Sequence, residues 1–315
     1  MAEKIATRHA YGEALAELGN VNKRVVALDA DVSTCTMSCI FGEKYPDRFY
    51  NVGIAEANMV GIAAGMSTTG LIPFVHSFAM FTAGRTFDQI RNSLAYPHLN
   101  VKVVGTHSGL TVGEDGATHQ CLEDIGIMRT IPNMVVVCPC DGKETQAAVQ
   151  AIAEYDGPVY LRLGRLALET VTDWPDYSFK LGKSVLMQDG RDVTIIATGL
   201  MVQEALAAAK LLAGEGIKAR VLDMHTIKPL DIEAVLKAAR ETGAIVTAEE
   251  HNIIGGLGGA VAELVSGSIP VPVLRVGTED TFGRSGNGEK LLIKYGLTKE
   301  NIAQKAKQAM GLRRT

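Results

Sequence analysis

The chain has 315 residues, 47% of them hydrophobic, with 33 glycines and a formal net charge of -4. That length allows two ordinary domains. The acidic balance argues against a basic nucleic-acid-binding face, and no run of 18 apolar residues is present to form a membrane helix. The five cysteines, Cys35, Cys39, Cys121, Cys138 and Cys140, form no CxxC pair and no even set. A reduced, cytoplasmic compartment follows as the expectation, and no metal site is expected on this chain.

In chain order, Glu3–Leu18 reads as an amphipathic helix with charges throughout, unlike the apolar core of a secretion signal. Short β-branched runs follow: RVVALDAD, RFYNVG, LIPFVHS, VKVVGTHSG, NMVVVCP and PVYLRLGR. Helical patterns at Ile54–Thr69, Phe81–Ala95, Gln120–Arg129 and Gly142–Glu154 separate most of them. This alternation predicts a parallel sheet with helices on both faces. Residues 166–180 are polar, contain Pro175 and lack a helical period, so they read as a linker crossing the surface. A second alternation begins at RDVTIIATG and continues through helices at Met201–Gly214 and Leu230–Glu241, the runs KARVLDMH and AIVTAEEH, a helix after GGLGGA, and PVLRVG. The expected fold is therefore two three-layer α/β domains with mostly parallel sheets, at 1–165 and 181–315.

Within the first domain, NVGIAEANMVGIAAGMSTTG stands out. Between Arg48 and Arg85 only Glu56 is charged at neutral pH. A helix glutamate is ordinarily solvated or paired with a lysine one turn away, but the neighbouring positions are Val52, Gly53, Met59 and Val60. With no local cation, a buried carboxylate would cost several kcal/mol and would sooner hold its proton. A neutral acid can donate a hydrogen bond, for example to a heteroaromatic nitrogen. Phe78, Phe81 and Phe87 follow in SFAMFTAGRTFDQ. Phe78 and Phe81 would share a face on a helical turn and could wall a ring, or could be plain core.

FYNVGIAEANMVGIAAGMSTTG, PFVHSFAMFTAGRTFDQIRN and THSGLTVGEDGATHQCLEDIGIMRTIPNMVVVCPCD together resemble the pyrimidine-binding domain of transketolases. LGKSVLMQDGRDVTIIATG and AEEHNIIGGLGGAVAE resemble their C-terminal domain. The resemblance implies thiamine diphosphate as cofactor, bound between two domains. The GDG motif that holds the diphosphate and its Mg2+ (or Ca2+ or Mn2+) in that family is absent from this sequence. A partner subunit carrying the N-terminal, diphosphate-binding domain is therefore expected, in a heterotetramer.

Carried over position by position, the resemblance makes Glu56 the acid that hydrogen-bonds the aminopyrimidine ring. Phe78 and Phe81 pack on that ring, Ile54 helps bend the cofactor, and Asp29 lies near the thiazolium. A third aromatic common in the family falls here on Gly84, with Phe87 as its possible replacement. The resemblance also assigns Arg8, Ser33, His107, Asp115, His119 and Arg165 to a sugar phosphate, with His107 and His119 in the catalytic set. Singly, each has a plain alternative as a solvated charge, a helix cap or a loop histidine. GRSGNG (283–288) reads as a flexible surface loop or an anion nest, and GGLGGA as a strand-to-helix turn.

The function so implied is that of one subunit of a transketolase moving a two-carbon ketol group from a ketose phosphate to an aldose phosphate in the pentose phosphate pathway. The alternatives are a deoxyxylulose-phosphate synthase, a 2-oxo-acid dehydrogenase beta subunit, a transketolase for a sulfonated sugar, and a non-catalytic assembly subunit.

Overall fold

The computed structural model describes residues 4–313. Glu3, the start of the first expected helix, lies outside the described residues. The strands in chain order are β1 (Ile5–Ala6), β2 (Val25–Asp29), β3 (Phe49–Asn51), β4 (Ile72–Phe78), β5 (Lys102–Thr106), β6 (Val135–Val137), β7 (Val159–Arg162), β8 (Ala167–Leu168), β9 (Val185–Gln188), β10 (Val193–Ala197), β11 (Ala219–Asp223), β12 (Thr226–Lys228), β13 (Ile245–Asn252) and β14 (Val273–Thr278). One sheet has the order β12-β6-β7-β5-β4-β2-β3 and a second the order β14-β13-β10-β11-β9. Within these two sheets only the edge strands β12 and β9 run antiparallel to their neighbours, and β1 and β8 form a separate antiparallel pair.

The continuous apolar strands follow from burial on both faces. Val25 and Ala27 of β2 pack with Tyr11, Leu15 and Val149 on one side. Val26 and Leu28 pack with Met59, Val60 and Leu94 on the other. Phe74 and Val75 of β4 divide in the same way, as the two-residue period of a strand requires. One apolar cluster crosses between the sheets, joining Val103 and Tyr160 to Ile196, Leu222 and Ile245. The two α/β domains thus share a packed seam.

Several boundaries depart from the sequence reading. The first helix is Thr7–Val21, because Ile5–Ala6 pairs antiparallel with β8. The second expected helix begins at Glu56, two residues later than its pattern suggested. Gly53 at φ +74 and Ala55 at φ -145 hold the chain out of helical geometry until then. The single helix expected over Phe81–Ala95 is two π-helical segments, Met80–Arg85 and Ile90–Ala95, flanking Phe87–Gln89. The helix expected at Gln120–Arg129 is Asp124–Thr130.

The polar stretch after residue 165 is not merely a surface crossing. It contributes β8, and its buried Thr172 is fastened to Asp141. The Asp141 carboxylate accepts from Val171 N at 2.7 Å, Thr172 N at 2.8 Å and the Thr172 hydroxyl. The same carboxylate accepts from Glu144 N at 2.9 Å and so caps the Gly142–Glu154 helix. β12, from the second half of the chain, adds an edge to the first sheet beside β6. No helix among the described residues is long and apolar enough to cross a membrane.

Asp141→Ala removes the helix cap and leaves buried donors without a partner. The expected loss is about 2–4 kcal/mol of unfolding free energy, measured as a lower urea midpoint at unchanged m-value.

Candidate active site

Parallel strands end at one edge, and in open α/β sheets ligands bind beyond the carboxyl ends. Asp29 closes β2, Phe78 closes β4, and His107 follows β5 directly. Arg165 lies three residues past β7, and Glu56 lies five past β3.

Glu56 opens its helix and is 5% exposed. It is not unpaired, which corrects the sequence expectation. Arg85 Nη1 donates to Glu56 Oε1 at 3.0 Å. The cation arrives from 29 positions downstream because the Met80–Arg85 π-helical segment ends beside the glutamate. The Arg85 guanidinium also lies 4.0 Å above the Phe81 ring centroid. A flat group bearing N–H donors therefore already rests between an aromatic face and this carboxylate.

Phe78 and Phe81 do share a face, though not as one helical turn. Phe78 ends β4 and Phe81 sits in the π-helical segment. Their rings are nearly parallel, at 11°, with centroids 6.0 Å apart. His107 stacks on Phe78 at 4.1 Å, and His119 meets both rings edge-on. π-Helical turns are rare and gather at functional sites.

The histidines stand among cations. Burial, then the Arg8, Arg165 and His119 charges, lowers His107 to about 3. His107 is thus neutral at pH 7. Its Nδ1 lies 3.0 Å from the Thr106 hydroxyl, which leaves Nε2 for another partner. Arg8 is half-buried and donates to the Cys35 carbonyl. Arg165 bonds the Val112 carbonyl and the Glu114 carboxylate. Arg8, Arg165 and His119 are thus near enough to His107 for their charges to act on it.

The remaining candidates divide. Ser33 begins the Ser33–Thr36 helix and is half-buried, and Asp115 is exposed at the tip of the 107–119 loop. Ile54 is 77% exposed, outside the helix expected to contain it. Phe87 is 37% exposed and forms no ring pair with Phe78 or Phe81 among the described residues. Asp29 is fully buried, and its carboxylate accepts from Val32 N at 2.7 Å, the Thr36 hydroxyl at 2.7 Å and the Ser38 hydroxyl at 2.8 Å. These bonds organise the loop after β2.

GRSGNG is corrected too. Gly286 N donates to the Gly113 carbonyl at 3.3 Å, and Gln120 Nε2 donates to the Arg284 carbonyl at 3.0 Å. The segment is docked on the histidine loop. Sequence reasoning missed Arg85 and the wholly buried Arg162, although an arginine inside the apolar run PVYLRLGR was a usable signal. One buried group of potential metal ligands, Cys140, Glu144 and Asp223, has ligand atoms within 4.8 Å of one another. Burial pushes all three acids up, and none belongs to the aromatic cluster.

Residues 3–170 match the transketolase pyrimidine binding domain, and residues 182–302 match the transketolase C-terminal domain. The chain is 50% identical over 305 residues to a Methanocaldococcus jannaschii protein named as a transketolase C-terminal section, covering 96% of each chain. It is 48% identical over 299 residues to the 6-deoxy-6-sulfo-D-fructose transketolase subunit SqwH of a Clostridium species, covering 95% of this chain and 92% of that one. A solved structure described as a split gene transketolase, inactive beta4 tetramer, aligns with a TM-score of 0.92 at 51% identity, over 98% of this chain and all of the other. With both domains matched in order, and with this identity along almost its whole length, the chain belongs to the transketolase family.

Proposed function

We propose that this chain is one of two subunits of a thiamine-diphosphate-dependent transketolase that transfers a two-carbon ketol group between a ketose phosphate and an aldose phosphate. The observation that carries the reading is buried Glu56, bridged by Arg85 to Phe81, with the Phe78 and Phe81 rings parallel and His107 and His119 packed against them. An acid beside aromatic faces suits an aminopyrimidine. Arg85 lies over Phe81 and within reach of the glutamate, at the place assigned here to the ring, whose nitrogen would accept a hydrogen bond from the Glu56 carboxyl. Arg85 is half exposed and can swing outward when a ring takes that place.

Bound thiamine diphosphate supplies the carbon nucleophile that carries the ketol unit. This chain orients it: Glu56 hydrogen-bonds the pyrimidine ring nitrogen, and Phe78 and Phe81 hold the ring plane. Neutral His107 offers Nε2 as a hydrogen-bond partner to a substrate hydroxyl. Arg8 and Arg165 present guanidinium forks to the terminal anion. The diphosphate and a divalent ion, Mg2+ or a substitute, fall to the partner subunit, since no GDG motif is present here.

A sulfonated donor is a second reading, supported by the 48% identity to a sulfofructose transketolase subunit. Sulfonate and phosphate are both tetrahedral anions, and two guanidinium groups can hold either. The assay therefore compares phosphorylated, sulfonated and uncharged ketose donors with the chain co-expressed beside its partner.

Three outcomes are expected. The purified chain alone shows no ketol transfer, and turnover appears on adding the diphosphate-binding subunit; full activity from this polypeptide by itself would sink the split-subunit reading. Glu56→Gln lowers kcat by about 100-fold or more while its circular dichroism matches wild type. Arg165→Ala raises KM for the phosphorylated acceptor about 10- to 100-fold, with cofactor affinity held in a titration followed by calorimetry.

A further inference from the structure

The loop from His107 to His119 belongs to the first domain, yet part of what holds it comes from the second. Glu250, on β13, is 3% exposed and points across the seam. Its Oε1 accepts from Thr111 N at 2.6 Å. Gly109 takes φ +77, and a Cβ there would lie 2.2 Å from the Glu250 carboxyl carbon. The loop backbone therefore runs directly over this carboxylate, at a position that only glycine fits. The Glu250 carbonyl accepts from Arg162 Nη2 at 2.9 Å, which fixes the strand beneath. His107 itself has φ +55, a left-handed backbone uncommon for a side-chain-bearing residue. Conformations of that kind persist only where the surroundings hold them.

We propose that Glu250 is a positioning residue for the substrate loop: its carboxylate, supplied by the second domain, clamps the Thr111 amide and so sets where His107, Asp115 and His119 meet the sugar. This rests on the transketolase reading for its consequence in catalysis, but not for the clamp itself. The C-terminal domain thereby acquires a part in substrate binding through one hydrogen bond and the docked 284–286 segment.

The charged and titratable groups facing Glu250 are Arg162 of β7 and Asp124 of the Asp124–Thr130 helix; the Thr111 amide meets it from the loop. Burial raises Glu250 to about 7 against the pull of Arg162 and of that amide. The sign is fixed. Above about 7 the clamp is a charge-assisted bond, and below it the acceptor is a neutral acid. A neutral acceptor binds an N–H roughly half as strongly.

The test uses Glu250→Ala and Glu250→Gln, the latter keeping an uncharged acceptor oxygen. Amide hydrogen exchange of the peptide spanning 107–116 is measured on the full chain alone. Steady-state kinetics are measured on the complex with its partner. Glu250→Ala is expected to speed loop exchange about fivefold or more and to raise KM for the sugar phosphate about tenfold, with kcat and cofactor affinity changed far less. Glu250→Gln is expected to restore most of both. The wild-type KM is expected to rise about two- to fivefold more than that of Glu250→Gln between pH 8 and pH 6.

Unchanged loop exchange in Glu250→Ala, or faster exchange with an unchanged KM, would overturn the proposal. So would identical pH profiles for wild type and Glu250→Gln, an arm that stands even if the alanine variant does not fold. A complex that turns over no sugar phosphate would remove the functional reading, while loop exchange would still decide the clamp.

Discussion

A buried ion pair anchors the place where everything meets. Arg162 Nε donates to Asp124 Oδ2 at 2.8 Å, and the two side chains are 3% and 0% exposed. Tyr160 donates to the same oxygen at 2.8 Å, and Arg162 reaches the Glu250 carbonyl of the second sheet. Removing one partner of such a pair costs about 3–5 kcal/mol, because the other charge is left stranded. Exposed pairs such as Lys307 with Glu215 contribute about 0–1 kcal/mol. The Arg162–Asp124 pair therefore outweighs such exposed pairs, and it sits at the seam between the domains. The seam lies directly under the histidine loop.

That arrangement holds the aromatic and histidine cluster in place from both domains of the chain. The first domain supplies the aromatic platform from a strand end and a π-helical turn. The second domain braces the loop that carries the histidines. Arg8 and Arg165 enter from the first helix and from the segment past β7, and their charges combine with burial to keep His107 neutral. A neutral imidazole among cations can share a hydrogen bond with a polar group without competing with an anion for the guanidinium groups. Arg85, meanwhile, covers Phe81 and pairs with Glu56 in the chain by itself.

Much of this was legible in the sequence because parallel strands buried on two faces have no polar alternation to obscure them. The aromatic pair was also legible, as residue types in a short window. What was not legible depended on irregular backbone. Two π-helical segments replace one expected helix, and that change brings Arg85 to Glu56. The polar loop GRSGNG looked mobile by composition, yet it is docked because its small residues let it lie against Gly113 and Gly116. Asp29 resembles a ligand contact by motif, and the motif gave no sign of the three donors within nine residues that bind its carboxylate.

By itself the sequence determined the layered α/β class, the alternation of its elements, and the isolation of one acid in an apolar segment. Those properties are carried by neighbours along the chain, through a two-residue or 3.6-residue period. Only the tertiary structure decided which cation faces Glu56, which carbonyl and amide Glu250 and Arg162 meet, and which domain holds the histidine loop. Hydrogen bonds and ion pairs are short-ranged in space and indifferent to separation along the chain, so partners 29 and 139 positions apart leave no periodic trace.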